Sequence, residues 1–180
     1  MEGGAELKKY LFAELFEKYR LPLFRYLMQM SRNRETAEEL LQETFYRAMI
    51  SLKVKNMVQA KAWLFKVARN LYIDQARKSE SENKMIEKLK KDYQPSSKLG
   101  NPQQQLESKN RQEELEHILA KLPERMQTII YLREIQGFSY KELATAMDLS
   151  DSQVKTTLHR ARQKFQQYEQ ERRELENEKR

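Results

Sequence analysis

The sequence predicts an all-α protein: two small helical domains joined by a flexible linker, the C-terminal one a helix-turn-helix. Three observations carry this expectation. The 180-residue chain has only four glycines and four prolines, and each can be placed at an end, a break or a turn. Good helix formers fill most of the rest. Apolar residues recur at three- and four-residue spacing along most of the chain. That pattern dissolves between Lys78 and Ser108, where the stretch from Asp92 to Gln105 combines Pro, Ser, Gly and Gln. Such a stretch cannot bury enough apolar surface to order itself. The expected division is therefore residues 1–90, a linker over 91–106, and residues 107–180.

In the first half, Leu7 to Tyr19 reads as a helix with Leu11, Leu15, Phe16 and Tyr19 inward. Pro22 is expected to interrupt it or to start the next turn. Leu23, Leu27 and Met30 then share one face, and residues 31–34 form a loop. Thr36 to Ile50 reads as a second helix, opened by a capping box of Thr36 with Glu39. Ala37, Leu41, Thr44, Phe45 and Ala48 group on one side, and Glu39, Gln42, Glu43 and Tyr46 on the other. That acidic face, in a basic half, is either a solvated surface or a docking site for a basic partner. Lys53 to Lys61 is irregular and basic. From Ala62 to Lys78 a third helix places Leu64, Phe65, Val67, Ala68, Leu71 and Tyr72 inward. Lys66, Arg69, Asn70, Ile73 and Arg77 lie opposite, with Trp63 and Asp74 on the flank. Cations around one amide, edged by an aromatic, suit backbone phosphates and unstacked bases. For Trp63 by itself a core position is the stronger reading. Ile86 and Leu89 can carry the helix on towards the linker.

In the second half, Glu107 to Leu122 is helical with Leu115, Ile118, Leu119 and Leu122 inward. Pro123 starts the next helix, which runs through Met126, Ile129, Ile130, Leu132 and Ile135 until Gly137 ends it. Phe138 staples the start of the helix after it. Ser139 and Glu142 form a capping box there, and Tyr140, Leu143, Ala144 and Met147 share a face. Asp148 occupies the turn, where Gly is usual; Asp tolerates the left-handed conformation. A second box, Ser150 with Gln153, opens a last helix whose apolar stripe is Val154, Leu158, Ala161 and Phe165. Ser152, Thr156, His159, Arg160 and Gln163 point the other way, flanked by Lys155, Arg162 and Lys164. No acid lies between Ser152 and Tyr168. Two short helices, a tight turn and a basic second helix are the signature of a helix-turn-helix. The charged tail from Glu169 extends or frays the last helix in solvent.

Composition narrows the function classes. The net charge is +7, and the first ninety residues hold 18 Lys and Arg against 12 acids. A basic balance suggests an anionic partner, most often nucleic acid. There is no cysteine, which excludes disulfides, thiolate metal sites and cysteine nucleophiles. The two histidines, His117 and His159, are far apart, so no metal site is expected, and no cofactor. No apolar run approaches the length of a membrane span. The N-terminus carries acids and no apolar signal core, so a cytoplasmic protein is expected. Paired catalytic histidines and a Gly-rich phosphate loop are absent as well, so the chain is not expected to be an enzyme.

Five segments then carry a resemblance: Ala37-Glu-Glu-Leu-Leu-Gln-Glu-Thr-Phe45; Trp63-Leu-Phe-Lys-Val-Ala-Arg-Asn-Leu-Tyr-Ile-Asp74 with Arg77; Leu122-Pro-Glu-Arg-Met-Gln; Tyr140-Lys-Glu-Leu-Ala; and Val154-Lys-Thr-Thr-Leu-His-Arg-Ala-Arg162. In this order the chain resembles the extracytoplasmic-function group of bacterial sigma factors, small promoter-recognising subunits of RNA polymerase. The resemblance implies that Glu39, Gln42, Glu43 and Tyr46 grip a coiled coil of the largest subunit of core polymerase. It implies that Lys66, Arg69, Asn70 and Arg77 line the opened −10 strand, with a flipped-base pocket around Asn56 to Ala60. The last helix, through Ser152, Lys155, Thr156, His159, Arg160, Arg162 and Lys164, would enter the major groove at the −35 element. Promoter DNA, core polymerase and an anti-sigma factor are the implied partners. Glu39 stands where the family usually has Asp, which keeps the charge, and Thr157 stands where it often has Arg. The competing reading is a stand-alone helix-turn-helix regulator, which would need a dimer seam or a ligand pocket and a palindromic site.

Overall fold

A computed structural model describes residues 2–51, 57–89 and 108–177. Among them there are seven α-helices and one π-helical turn, with no strand: α1 Glu2–Ser31, α2 Arg34–Ser51, α3 Met57–Leu89, α4 Ser108–Lys121, α5 Glu124–Ile130, the π-turn Tyr131–Ile135, α6 Tyr140–Met147 and α7 Asp151–Asn177. The expected linker, residues 91–106, lies outside the described residues, as does the basic loop up to Asn56.

The first three helices pack on one another. α1 is one continuous helix with Pro22 inside it, so the expected interruption does not occur. Pro22 removes one intrahelical hydrogen bond. Leu15, Tyr19, Leu23, Tyr26, Leu27 and Met30 nevertheless form a buried stripe running straight across it, and burial of that stripe outweighs the break. Leu11 and Phe16 sit at its edge, each 38% exposed; the Phe16 ring meets Phe45 edge-on with centroids 4.8 Å apart. α2 begins two residues before its expected start. Its cap is Asn33, whose Oδ1 accepts from the Thr36 N–H at 2.9 Å. Thr36 therefore sits inside the first turn rather than capping it. Ala37, Leu40, Thr44, Phe45 and Ala48 are buried; Leu41, expected inward, is partly buried. α3 starts earlier than expected, at Met57, and runs on to Leu89. Residues 57–60 are thus a helical turn, with Ala60 fully buried.

The second half follows the expected order with two shifts. Leu115 and Ile135 are exposed rather than inward, at 44% and 55%. Gln127 and Thr128, polar by sequence, are buried. The π-turn ends near Gly137, whose φ of +67° is left-handed, a region glycine enters without a Cβ penalty. Both capping boxes form. Ser139 Oγ accepts from the Glu142 N–H at 3.1 Å and Glu142 accepts from the Ser139 N–H at 2.7 Å. Ser150 and Gln153 exchange the equivalent bonds at 3.2 and 2.9 Å. Asp148 takes the left-handed turn conformation, φ 52°, ψ 51°. The buried face of α6 is Leu143, Ala146 and Met147, with Tyr140 at the rim. Val154, Leu158 and Ala161 lock α7 underneath, and α7 continues unbroken through most of the charged tail. Ser150→Ala removes one member of the second box; urea unfolding should show a loss of about 1 kcal/mol.

The two halves are not separate bodies in this structure: α3 packs along α6, and α1 meets α4. Phe65 and Phe138 stack edge-on at 5.1 Å between centroids. Tyr26 faces Tyr131 at 5.6 Å, and the Tyr26 hydroxyl pairs with Thr128 Oγ1 at 3.1 Å. Burial holds the Tyr26 phenol far above its ordinary pKa, so it stays a neutral hydrogen-bonding group. The helical pattern of the sequence carries no signal of this seam.

Candidate functional site

Three surfaces gather the residues singled out by sequence. The first is the outer face of α2. Glu39 and Gln42 are exposed and Glu43 is partly exposed. Glu43 accepts from Arg47 Nε at 2.7 Å, one turn on. Tyr46 is 55% exposed. The face continues into Met49 and Ile50, both about half exposed, two residues absent from the expected docking set. They follow Tyr46 by three and four residues, the helical spacing that could have revealed them. A stripe that is acidic at one end and apolar at the other, on a helix held from behind by Leu40, Thr44 and Phe45, suits a partner helix that is basic with an apolar margin.

The second surface is the cationic side of α3, and here the structure departs from expectation. Asn70 and Arg77 are exposed. Lys66 and Arg69 are not on an open face: both are engaged by the C-terminal half. Lys66 Nζ donates to Asp148 Oδ1 at 2.6 Å. Arg69 makes a two-pronged pair with Glu124, Nε to Oε1 at 2.8 Å and Nη2 to Oε2 at 2.9 Å. Its side chain is only 13% exposed. About two turns before Arg69, Lys61 Nζ lies 3.4 Å from Glu142 and 4.1 Å from the centre of the Phe138 ring. Trp63 is partly buried against the core, in line with the plainer reading of that residue. The expected base pocket around Asn56 to Ala60 falls partly outside the described residues. Its remaining part is the first turn of α3, where Ala60 has no exposed surface.

The third surface is the outer face of α7. Ser152, Lys155, Thr156, His159 and Arg160 are all exposed. Their positions are fixed by the Ser150 box at one end and the buried Val154, Leu158 and Ala161 behind them. Thr156 Oγ1 donates to the Ser152 carbonyl at 3.0 Å. A concavity of about 450 Å³ opens beside them, lined by Arg125, Ser152, Gln153, Thr156 and Arg160 with Pro123 and Met126. Arg125 has no counterpart among the expected contacts. It sits at the start of α5, and only the fold of α5 against α7 brings it next to Arg160. Two guanidinium groups and, counting Thr157, three hydroxyls surround this hollow at a helix N-terminus, a chemistry that suits phosphate and base edges. Arg162 and Lys164, expected as flanks of this face, turn elsewhere. Arg162 is tied to Glu134 Oε1 at 3.0 and 2.5 Å. That bond raises its already high pKa. Lys164 lies over the Tyr168 ring. Among the described residues no group of His, Asp or Glu could hold a metal ion, and no helix is long and apolar enough to cross a membrane.

Comparison with known proteins adds a family to this geometry. Residues 15–82 match the family described as Sigma-70 region 2, which covers most of α1 to α3. Residues 112–165 match Sigma-70, region 4, from α4 into α7. The ECF RNA polymerase sigma factor SigM of Bacillus subtilis (strain 168) is 33% identical over 152 residues, spanning 84% of this chain and 91% of that protein. RNA polymerase sigma factor YlaC of the same organism is 31% identical over 150 residues, spanning 83% and 86%. Among solved structures, the sigma factor RpoE in complex with the anti-sigma factor NepR from Bartonella quintana aligns with a TM-score of 0.67 at 23% identity, over 88% of this chain and 96% of that one. CnrH in complex with the cytosolic domain of CnrY aligns with a TM-score of 0.61 at 20% identity, over 88% and 86%. At these identities the two structures share the fold.

Proposed function

The chain belongs to the extracytoplasmic-function group of the sigma-70 family, and from that premise we propose how its surfaces divide the work of directing RNA polymerase to a promoter. The outer face of α2, with Glu39, Gln42, Glu43 and Tyr46 and the added Met49 and Ile50, docks on the coiled coil of the largest subunit of core polymerase. The α3 face, with Lys66, Arg69, Asn70 and Arg77, holds the opened −10 strand. The outer face of α7 reads the −35 element in the major groove, through Ser152, Thr156, His159 and Arg160, with Lys155 on phosphate. Arg125 joins that contact from α5. Arg162 and Lys164 contribute through net charge alone, because each is already engaged within the domain.

The observation that supports this division best is that the α2 face and the α7 face are both open to solvent, on parts of the chain that coincide with the two matched regions. Residues 1–90 and 107–180 act as the two functional domains, connected by residues 91–106. The protein works in the cytoplasm alongside polymerase, catalyses no reaction of its own and needs no cofactor. A stress or envelope response fits its group, and an anti-sigma factor is its expected antagonist. Co-purification with core polymerase tests the reading: a one-to-one holoenzyme is expected, and a protein that binds duplex DNA as a dimer without polymerase would replace it with the stand-alone regulator.

On α3 the two open residues separate base reading from charge. Asn70→Ala should alter −10 sequence preference and leave salt dependence unchanged. Arg77→Ala should lower the salt slope of promoter binding by about one and leave preference alone. Filter binding over a salt series, with a randomised −10 element, reads both quantities.

A further inference from the structure

We infer that Arg133 and Glu134, neighbours in the π-turn, are positioning residues for the −35 contact: together they hold both helices of the helix-turn-helix at the angle from which α7 meets the base edges. Each residue takes one helix. Arg133 is half-buried. Its Nη1 donates to the Phe138 carbonyl at 2.6 Å, just ahead of α6. Its guanidinium lies 5.2 Å from the ring centre of Tyr140, the first residue of α6. Glu134 faces α7, where its Oε1 accepts both bonds from Arg162, at 3.0 and 2.5 Å. The Tyr140 hydroxyl is a further partner of the Arg162 guanidinium, which closes a ring of four side chains over the two helices. The inference rests on the reading of α7 as the −35 helix.

The π-turn supplies the rigid base of this bracket. The Gln136 N–H donates to the Tyr131 carbonyl, five residues back, at 3.1 Å, and the Phe138 N–H donates to the Leu132 carbonyl at 2.9 Å. These bonds fix the segment that carries Arg133 and Glu134 to the start of α6. Wide turns of this kind are frequent at functional sites. The buried faces of the two helices do not fix an angle by themselves. Leu143, Ala146 and Met147 on α6 and Val154, Leu158 and Ala161 on α7 attract without direction. Residues 148–150 join the helices at one end only. Hydrogen bonds, in contrast, weaken steeply with misalignment. The bond to Arg162 lies about three turns along α7 from that joint, roughly 16 Å, and so resists rotation with a long lever. Ser152, Thr156 and Arg160 lie between the two fixed points.

The test reads the helix angle and the DNA contact separately. Because the chain has no cysteine, spin labels can be placed through Thr145→Cys on α6 and Gln170→Cys on α7, both exposed. Pulsed electron resonance should give one narrow distance in the labelled parent. Adding Arg133→Ala or Glu134→Ala should broaden it, with helicity by circular dichroism unchanged. Without labels, holoenzyme transcription from a randomised −35 library should lose about three- to five-fold in discrimination in either variant, the scale of one exposed charge pair. Arg162→Ala and the double variant Glu134→Ala, Arg162→Ala should lose the same amount and no more. Arg162→Lys, which can still meet Glu134, should recover most of it. Removing another surface pair of α7, Glu169→Ala with Arg173→Ala, should leave discrimination as in the wild type. Unchanged distance widths in Arg133→Ala and Glu134→Ala overturn the bracket. So do losses that multiply in the double variant together with a salt slope lower by about one for Arg162→Ala, which would place Arg162 on phosphate. A broadened distance, with wild-type transcription indifferent to the −35 sequence, keeps the bracket and counts against the −35 reading alone.

Discussion

Glu39→Lys with Glu43→Lys should abolish holoenzyme formation, lowering core affinity at least about a hundred-fold. The magnitude follows from what happens when a charge is set against its complement in a desolvated interface, a loss of about 2–5 kcal/mol for truncation alone. Reversal adds repulsion to that loss. The substitutions should not unfold α2. Glu39 is exposed and lies outside the buried core. Glu43 pairs with Arg47, so a lysine in its place costs a few tenths of a kcal/mol through its like-charged neighbour. Circular dichroism should therefore be unchanged while gel filtration with core polymerase shows no complex. Reversing Glu171 and Glu174, in the exposed tail of α7, makes the same change in net charge and should leave assembly intact. Normal core affinity in the α2 variant would remove the docking assignment.

Arg160→Ala should lower −35-dependent transcription by about ten- to a hundred-fold, the range set by losing one two-pronged contact to guanine, ~1–3 kcal/mol. The geometry favours Arg160 over its neighbours. Among the described residues no acid holds it, whereas Arg162 is held by Glu134 and Lys164 lies over Tyr168. It lines the hollow from the third turn of α7, beyond Ser152 and Thr156, whose short side chains leave room for a base edge to approach the backbone. Asp151, first in the helix, complements the helix dipole. Arg125→Ala should act differently: a uniform weakening across −35 sequences with a salt slope lower by about one. Transcription from a randomised −35 library separates the two. An unchanged base preference in Arg160→Ala would place that side chain on phosphate and pass base reading to Ser152 and Thr156.

Local signals are legible in this sequence and tertiary ones are not. Ser139 with Glu142 and Ser150 with Gln153 read as capping boxes and form as capping boxes, because such a box is closed by residues three apart and needs nothing distant. Asp148 sits in its expected turn for the same reason. Thr36 shows the limit of such reading. It satisfies the same pattern with Glu39, but Asn33 caps three residues earlier and draws Thr36 into the helix. Pro22 does not break α1 as expected: local propensity favours a break, while Leu23, Tyr26 and Leu27 supply burial on the far side that propensity cannot see. Leu115 and Ile135 match the apolar period of their helices yet line an open groove with Phe165. Of the site, the α2 acids and the open face of α7 lie where periodicity places them. The pairing of Lys66 with Asp148 and of Arg69 with Glu124 joins residues 82 and 55 positions apart, and no pattern within a helix encodes that. Arg125 becomes visible only when α5 is laid beside α7.

If this chain gives core polymerase its choice of promoter through two separate DNA contacts, run-off transcription on a pool of randomised promoter DNA should show it. Purified core polymerase is assayed with and without the protein. Transcripts are expected only when the protein is present, from templates that share two unlike sequence blocks at fixed spacing. Glu39→Lys with Glu43→Lys should erase the products, and Arg160→Ala should relax the upstream block alone. Enrichment of a palindromic site that the protein binds without polymerase, with no protein-dependent transcript, would contradict the assignment.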